Sequence, residues 1–408
     1  MFQATFLRDA RWLTADRVRA YGLMIATGFA AMALWIIASE VFVYHTPGVL
    51  GGDFLSFYAA SKLALSGHAA EAWHRAAHLK VEHSLAPTQG YLAFFYPPPY
   101  LLLCWPLALL PYGVALTLWI LATAGAALAA MRRLLTAFAP DVRVALPVLL
   151  AFPALWINAG SGQNGALSLT ILAAGAVWLD RRPALAGAIL GLLVVKPQLA
   201  LVLPFALAGA ALVRPALWRA FVMAGVSAAA FCALAWLVLG NAGYAAFFGA
   251  SQAARETLMR GLVDPAEMQS LFAALKVLHA PLGLAIAAQA ILSVAVIATA
   301  ACAAWRYRPD GFGLMALIAA ATVLATPFIL DYDLLIIALP LAWLGLSGAR
   351  DGARRWERSI LLAAFVLPLV SRGLAKGLGV PLAPLVLCLL FAAVVARLRA
   401  RTVTAGAV

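Results

Sequence analysis

Hydrophobic residues in this chain occur in long uninterrupted runs that are separated by short polar stretches rich in arginine. A helix that crosses the hydrocarbon core of a bilayer needs roughly 20 apolar residues, and fewer where it lies inside a protein. The pattern predicts about twelve transmembrane helices, at residues 21–43, 113–131, 144–157, 165–179, 184–195, 198–213, 217–239, 281–304, 312–329, 334–347, 360–370 and 381–396. The expected fold is therefore an all-α integral membrane protein with one polytopic domain over residues 1–408.

Composition supports the same class. With 65% hydrophobic and 11% charged residues, the 408-residue chain has too little polar surface to cover a soluble globule. The net charge of +13 comes from clusters between apolar runs, where basic residues act as topology signals, so we expect no nucleic-acid partner. The four cysteines stand singly in apolar segments, which favours small hydrophobic residues over metal or redox centres.

The basic clusters also predict the orientation. The stretch 100–110 is short and bracketed by prolines, so it is interpreted as re-entrant or interfacial and not as a span. With a cytoplasmic N-terminus, 20 of the 29 basic residues then lie on the inner side, as the positive-inside rule requires. These are Arg8, Arg11, Arg17, Arg19, Arg132, Arg133, Arg143, Arg181, Arg182, Arg214, Arg219, Arg306, Arg308, Arg350, Arg354, Arg355, Arg358, Arg397, Arg399 and Arg401. Both termini are predicted to be cytoplasmic in a multi-pass protein of a bacterial-type inner (plasma) membrane.

The outer face then receives two long segments, a first loop at 44–99 and a second at 241–280, together with short turns. All five lysines and all six histidines fall there. The first loop is predicted to carry interfacial helices, since the segment 55–66 has the aromatic and apolar residues of a helix lying flat on the membrane. The chemistry is therefore expected on the extracytoplasmic side.

Asp53 is the leading catalytic candidate. It stands in the sequence Gly51-Gly52-Asp53-Phe54 just beyond the first span, and a glycine turn lets the backbone approach a ligand closely. The alternative is that Asp53 only caps the helix that follows, because Asp is a favoured cap residue. In the same loop, His74 and His78 are four residues apart, a spacing found in metal sites, although solvated interfacial histidines are commoner. No metal is predicted.

Aromatic side chains end the first loop. Tyr96 and Tyr100 flank a run of prolines near the expected water–lipid boundary. Anchoring at that boundary explains them, and the functional alternative is that they hydrogen-bond to or stack on a substrate.

Three short outer turns place polar groups where lipid would not tolerate them, and we expect them to converge. Gln163 and Asn164 follow a glycine turn and suit phosphate or sugar hydroxyls. Lys196 interrupts an apolar stretch, so it needs an anionic partner such as a lipid-linked phosphate, or else it forms an internal ion pair or snorkels. Asp331-Tyr332-Asp333 lies at a helix break, where the carboxylates could be caps, base-assisting groups, metal ligands or partners of Lys196.

The order of these motifs resembles glycosyltransferase family 87 of the GT-C superfamily. The resemblance rests on Gly52-Asp53-Phe54, Tyr96-Pro97-Pro98, Gly162-Gln163-Asn164 and Lys196-Pro197. It implies a GT-C-like enzyme that takes a hexose, typically mannose, from a polyprenyl-phosphate donor and transfers it to a lipid or glycan acceptor of the cell envelope. The late turn Asp331-Tyr332-Asp333 departs from the tryptophan and histidines common in actinobacterial members, which leaves the acceptor open.

The resemblance implies that Asp53 is the general base. The chemistry of the other residues suggests their roles: Lys196, Gln163, Asn164 and Arg255 are expected to bind the donor phosphate. Substrate contacts are expected from Tyr96, Tyr100, Asp331, Tyr332 and Asp333.

The chemistry also fits the residues themselves. A polyprenyl phosphate is already a good leaving group, so one carboxylate and one cation meet the main needs of the reaction, and no cofactor is expected. The partners expected are the lipid-linked donor, the acceptor and membrane lipids. The rival from another class is a transporter or flippase of a lipid-linked substrate, which would also carry polar residues and breaks within its helices.

Overall fold

The computed structural model describes residues 2–40, 42, 50–138, 145–259 and 263–405, and that part of the chain is all-helical. It contains eighteen α-helices, joined in places by short 3₁₀ turns. They are α1 Phe2–Asp9, α2 Ala15–Ser39, α3 Phe54–Leu65, α4 Arg75–Leu85, α5 Pro98–Cys104, α6 Tyr112–Phe138, α7 Ala145–Leu150, α8 Pro153–Ser161, α9 Gly165–Leu179, α10 Pro183–Gly191, α11 Leu203–Val213, α12 Trp218–Met259, α13 Leu271–Val277, α14 Leu282–Tyr307, α15 Gly311–Ala325, α16 Ala338–Asp351, α17 Glu357–Leu378 and α18 Ala383–Ala405.

Seven helical segments of the described part are long and apolar enough to cross a membrane, which makes this a multi-pass membrane protein. They are α2, α6, α12 with the turn before it, α14, α16 with the turn before it, α17 and α18. As far as their residues are described, the twelve predicted stretches form helices or broken helices, but several pieces are shorter than a full span. Twelve crossings therefore remain a prediction. Residues 41 and 43 of the first stretch lie outside the described residues.

Prolines explain the short pieces. The stretch predicted at 144–157 divides into α7 and α8 because Pro153 begins a new helix and lacks the amide that would continue the old one. Residue 144 lies outside the described residues. The stretches before and after Lys196 likewise meet in two 3₁₀ turns, Leu192–Val195 and Pro197–Ala200. A broken backbone inside a membrane is tolerated where it is covered by protein, and the residues at both breaks are buried: Ala151 and Phe152 at the first and Lys196 at the second.

Two predicted loop features differ in the structure. Helix α3 does not lie with one face on lipid: ten of its twelve residues are buried. Its small residues allow packing on both sides, and Ser61 donates to the carbonyl of Trp105 at 2.6 Å. The segment predicted as the second outer loop starts as a continuation of α12 after a kink at Gly240, where φ is +64°. Alanine-rich sequence favours that helix. The prediction 241–280 includes residues 260–262 and the prediction 44–99 includes 44–49, which lie outside the described residues.

The centre of the bundle is α15, every residue of which is buried. A helix that is apolar on all sides belongs in a core. Helix α9 packs against α15, α6 and α10, and α14 and α18 cover the other sides of α15. The amino-terminal end of α9 adjoins the turn at Asp331–Ile337, so the central helices position two of the predicted polar motifs side by side.

Candidate active site around Asp53 and Lys196

Asp53 stands at the start of α3, after a turn that only glycine adopts without strain. Gly51 has a φ of +78°, and its carbonyl accepts the first amide of the helix, that of Phe54, at 2.6 Å. The Asp53 side chain makes no capping hydrogen bond. Its Oδ2 instead accepts a hydrogen bond from Nε2 of Gln163 at 2.8 Å. The capping role is therefore not realised, and the carboxylate points toward a residue 110 positions away.

The surroundings of Asp53 make its carboxylate more basic than that of an ordinary aspartate. Burial raises the pKa of the Asp53 carboxyl above its ordinary value, and the hydrogen bond from Gln163 and the charge of Lys196 only partly offset this. The side chain nevertheless keeps some solvent exposure. A carboxylate with a raised pKa that is still reachable is a candidate for general base.

The turn after α8 holds the next two site residues. Gly162 ends α8 in the left-handed region, with φ +65°. Oε1 of Gln163 accepts from the Tyr96 hydroxyl at 2.9 Å and from the amide of Asn164 at 3.2 Å. The Gln163 amide is thus oriented by two donors, which leaves its Nε2 aimed at Asp53.

Lys196 lies on the other side of the same turn, and its side chain is almost completely buried. Its Nζ donates to Oδ1 of Asn164 at 2.9 Å and forms an ion pair with Asp333. The ammonium also lies 5.1 Å from the ring centre of Tyr332 and 5.9 Å from that of Tyr96. The internal ion pair considered for Lys196 therefore exists, and it joins two of the predicted turns.

The late turn connects the cluster to α17. Asp331 accepts a hydrogen bond from the backbone amide of Tyr332 at 2.9 Å and lies 3.9 Å from a guanidinium nitrogen of Arg372. Arg372 also forms an ion pair with Glu267, in the segment before α13. Asp331 is therefore at the rim of the cluster, whereas Asp333 is in its interior.

An aromatic layer backs the cluster on the side of α3 and α5. The rings of Tyr96 and Tyr100 are 4.3 Å apart, and Phe57 packs edge-on against both. Burial raises the pKa of the Tyr96 phenol well above 10, so its hydroxyl is a hydrogen-bond donor and not a base. Tyr100 is fully buried, and its ring packs against that of Tyr96.

Other predicted residues lie elsewhere. Arg255 is exposed on the last part of α12, and in the described part of the chain no hydrogen bond joins it to the cluster. His78 is buried beside Glu82, with 3.3 Å between Nε2 and Oε1, while His74 is exposed. Among the described residues no group of three or more His, Cys, Asp or Glu side chains is arranged to bind a metal ion.

Two tryptophans that the sequence did not single out help to fix the site. Nε1 of Trp119, within α6, donates to the carbonyl of Gly162 at 2.9 Å, and Nε1 of Trp73 donates to the carbonyl of Tyr96 at 2.9 Å. Both indoles hold the backbone beside a site residue. Trp119 sits in the middle of an apolar run, where a tryptophan is expected simply as a hydrophobic residue, so only its single N–H donor could have suggested a polar role.

The glycine at the centre of the turn gives a direct test of this arrangement. A Cβ at Gly162 would lie 2.6 Å from Cβ of Phe54 and would require a left-handed alanine. We expect Gly162→Ala to lower the free energy of unfolding by about 3 kcal/mol through strain and overpacking. Gly160→Ala is the matched control, because a Cβ there meets nothing within 4 Å. Thermal unfolding in detergent measures both, and equal melting temperatures would contradict the close approach of α3 to this turn.

Two consecutive amide residues of one turn each bind one charged group of the site. Gln163 binds Asp53 and Asn164 binds Lys196, each at hydrogen-bond distance. A base beside a cation, both partly or wholly shielded from water, can deprotonate a hydroxyl and stabilise a departing anion.

Comparison with known proteins identifies a family. The family model for glycosyltransferase family 87 matches residues 94–327, which is more than half of the chain and includes Tyr96, Gln163, Asn164 and Lys196. Asp53 and Asp333 lie outside the matched segment but are bonded to residues within it. No curated protein and no solved structure matches the chain. The chain therefore belongs to glycosyltransferase family 87.

Proposed function

We propose that this membrane glycosyltransferase transfers a hexose from a polyprenyl-phosphate donor to a lipid or glycan acceptor on the extracytoplasmic side. The hexose that we propose is mannose. The observation that carries the proposal is the pairing of Asp53 with Gln163 and of Lys196 with Asn164 across one turn. Family membership supports the transferase class. The donor, the sugar and the side of the membrane are our inference from the chemistry of these residues.

The reaction needs one proton transfer and one bond exchange at the sugar. The acceptor hydroxyl attacks the anomeric carbon, its proton passes to the Asp53 carboxylate, and the bond between that carbon and the phosphate oxygen breaks with its electron pair on the phosphate. The transition state resembles an oxocarbenium ion, and the leaving phosphate needs a positive charge nearby. Lys196 supplies this charge, with Asn164 and Asp333 holding it in place.

Tyr96 and the amide of Gln163 orient the base in this scheme. The Tyr96 hydroxyl fixes the amide, and the amide fixes the carboxylate, so neither has to reorganise during the reaction. In this proposal Asp331, at the rim, and Tyr332, beside the Lys196 ammonium, contact the acceptor. The lipid tail of the donor would remain in the bilayer, which explains why a transferase of this kind is built from membrane helices.

The pH dependence of the reaction follows from the raised pKa of Asp53. A base must be deprotonated to act, so the rate should fall with decreasing pH through a limb that lies above the usual carboxyl range. Gln163→Met removes a donor that favours the charged form, so the limb should move to still higher pH. The ratio kcat/KM measured across pH shows the shift. Ser161→Ala is the control, because its hydroxyl bonds only within its own helix, and an unmoved limb in Gln163→Met would argue against Asp53 as base.

The proposed function is tested by donor choice. The full-length protein, purified in detergent, would be given radiolabelled mannose either on a polyprenyl phosphate or on a nucleoside diphosphate, together with a membrane lipid and glycan extract. We expect transfer from the lipid-linked donor only. Transfer from the nucleotide donor alone would refute the proposal, and movement of intact donor across proteoliposomes without transfer would indicate the transporter alternative.

A further inference from the structure

A cavity lies at the arginine-rich end of α17, far from Asp53. It has a volume of about 350 Å³ and is lined by Arg8, Asp9, Arg11, Ala353, Arg354, Arg355 and Arg358. We call this the arginine pocket. Helix α17 begins beside the pocket at Glu357, and Arg372, which contacts the late turn of the active site, lies 15 residues or about 22 Å further along the same helix. The pocket is therefore separate from the proposed catalytic chemistry.

The charge of the arginine pocket is largely uncompensated. Five guanidinium groups surround it, and the only carboxylate among its lining residues, Asp9, is already paired with Arg8 at 2.9 Å. The nearby Glu357 is engaged in a buried ion pair with Arg397. In the described part of the chain, the side chains of Arg11, Arg354 and Arg355 have no hydrogen-bond partner. Like charges gathered in this way repel one another, and an anion bound between them would reduce that repulsion.

Orientation of the protein in the membrane does not require this convergence. The positive-inside rule is satisfied by arginines spread over several loops, yet here two segments more than 340 residues apart are held against each other. The amide of Trp356 donates to the carbonyl of Arg8 at 2.6 Å, and Arg358 donates to the carbonyl of Ala10 at 3.4 Å. Ala10 and Trp356 both have left-handed backbones, with φ of +37° and +65°, a conformation that costs energy for residues with side chains.

Apolar side chains next to the pocket indicate where its ligand comes from. Phe6 and Leu7 of α1 are 58% and 50% exposed, and the indole of Trp356 is 47% exposed. A short helix with exposed apolar residues beside arginines is typical of a segment lying in the membrane interface, where tryptophan is also enriched. Helix α2, a membrane-spanning candidate, begins only six residues after α1 ends. These neighbours are those expected of a pocket at the level of lipid headgroups.

We propose that the arginine pocket binds the phosphate groups of an anionic phospholipid from the adjacent leaflet. Guanidinium groups bind phosphate oxygens in bidentate fashion, and a cavity of this size accepts a headgroup with two phosphates. The bound lipid neutralises the repulsion between α1 and the loop before α17. Because the readout is binding, this inference stands or falls separately from the proposed transferase reaction.

The experiment measures binding of cardiolipin, which carries two phosphates, to the full-length protein in detergent. Arg354→Gln/Arg355→Gln should bind fluorescent cardiolipin about thirtyfold more weakly, and Arg355→Gln alone about fivefold more weakly. The matched control is Arg132→Gln/Arg181→Gln, which removes the same charge from exposed arginines outside the pocket and should bind as wild type does. Circular dichroism and gel filtration would verify the fold of each variant.

Three results would overturn the proposal. If wild-type protein binds cardiolipin no better than phosphatidylcholine, anionic phospholipids are excluded as the ligand. If both double variants bind cardiolipin equally weakly, the effect depends on the net charge of the protein and not on the arginine pocket. Displacement of cardiolipin by inorganic pyrophosphate at similar concentration would assign the pocket to a soluble phosphate compound in place of a lipid.

Discussion

Asp53→Asn is expected to reduce the rate of sugar transfer by about 10²–10⁴-fold while leaving the protein folded. The amide cannot accept the proton of the acceptor hydroxyl, but its oxygen can still accept the hydrogen bond that Gln163 donates to Asp53. Since burial disfavours the charged carboxylate, the neutral amide should cost the fold little, within about 1 kcal/mol of unfolding free energy. The measurement is kcat with saturating donor, together with thermal unfolding of the same samples.

The control for this substitution is Asp351→Asn, which makes the same chemical change at the far end of α16. Asp351 is paired with Arg350 and Arg401 near the surface and has no contact with the cluster. Its variant should transfer sugar at the wild-type rate. A folded Asp53→Asn protein with wild-type kcat would remove Asp53 from the mechanism and shift the search for a base to Asp331 and Asp333.

The helical character of the chain could be predicted because its signal is long and periodic. Run 113–131 lies within α6, and run 281–304 lies within α14 except for Pro281, which precedes the helix. The exact breaks could not be predicted, since they depend on which prolines begin a new helix: Pro153 does, whereas Pro368 lies inside α17. Tertiary packing decides whether a proline starts a helix or lies inside one, and the local sequence does not predict that packing.

The candidate site was partly predictable for a different reason. Gln163, Asn164 and Lys196 stand out because polar side chains are rare in apolar segments, so each needs a partner. The hydrophobic pattern of the sequence did not predict which partner each of them binds. The bond from Gln163 to Asp53 joins residues 110 positions apart, and that from Lys196 to Asp333 joins residues 137 apart. Helix α3 shows the opposite case, since its aromatic residues resemble a membrane-surface helix and yet are buried.

Breaking the Lys196–Asp333 ion pair is expected to have the largest effect on stability. Both side chains are almost completely buried, so Lys196→Met leaves an uncompensated carboxylate and Asp333→Asn an uncompensated ammonium. Each single variant should lose about 3–5 kcal/mol of unfolding free energy, because a charge remains in a low-dielectric interior without its partner. The double variant Lys196→Met/Asp333→Asn removes both charges and should recover most of that loss.

Activity measurements distinguish a catalytic role of this ion pair from a purely structural one. If Lys196 stabilises the departing phosphate, the double variant should be stable and yet transfer sugar at least about 10²-fold more slowly than wild type. The buried pair between Glu357 and Arg397 provides the comparison, since it lies at the other end of the bundle. Its double variant, Glu357→Gln/Arg397→Met, should show the same recovery of stability and keep its activity. Wild-type transfer by the Lys196→Met/Asp333→Asn protein would instead make this pair a purely structural one, because catalysis would then proceed without any cation at the turn that holds Asp53.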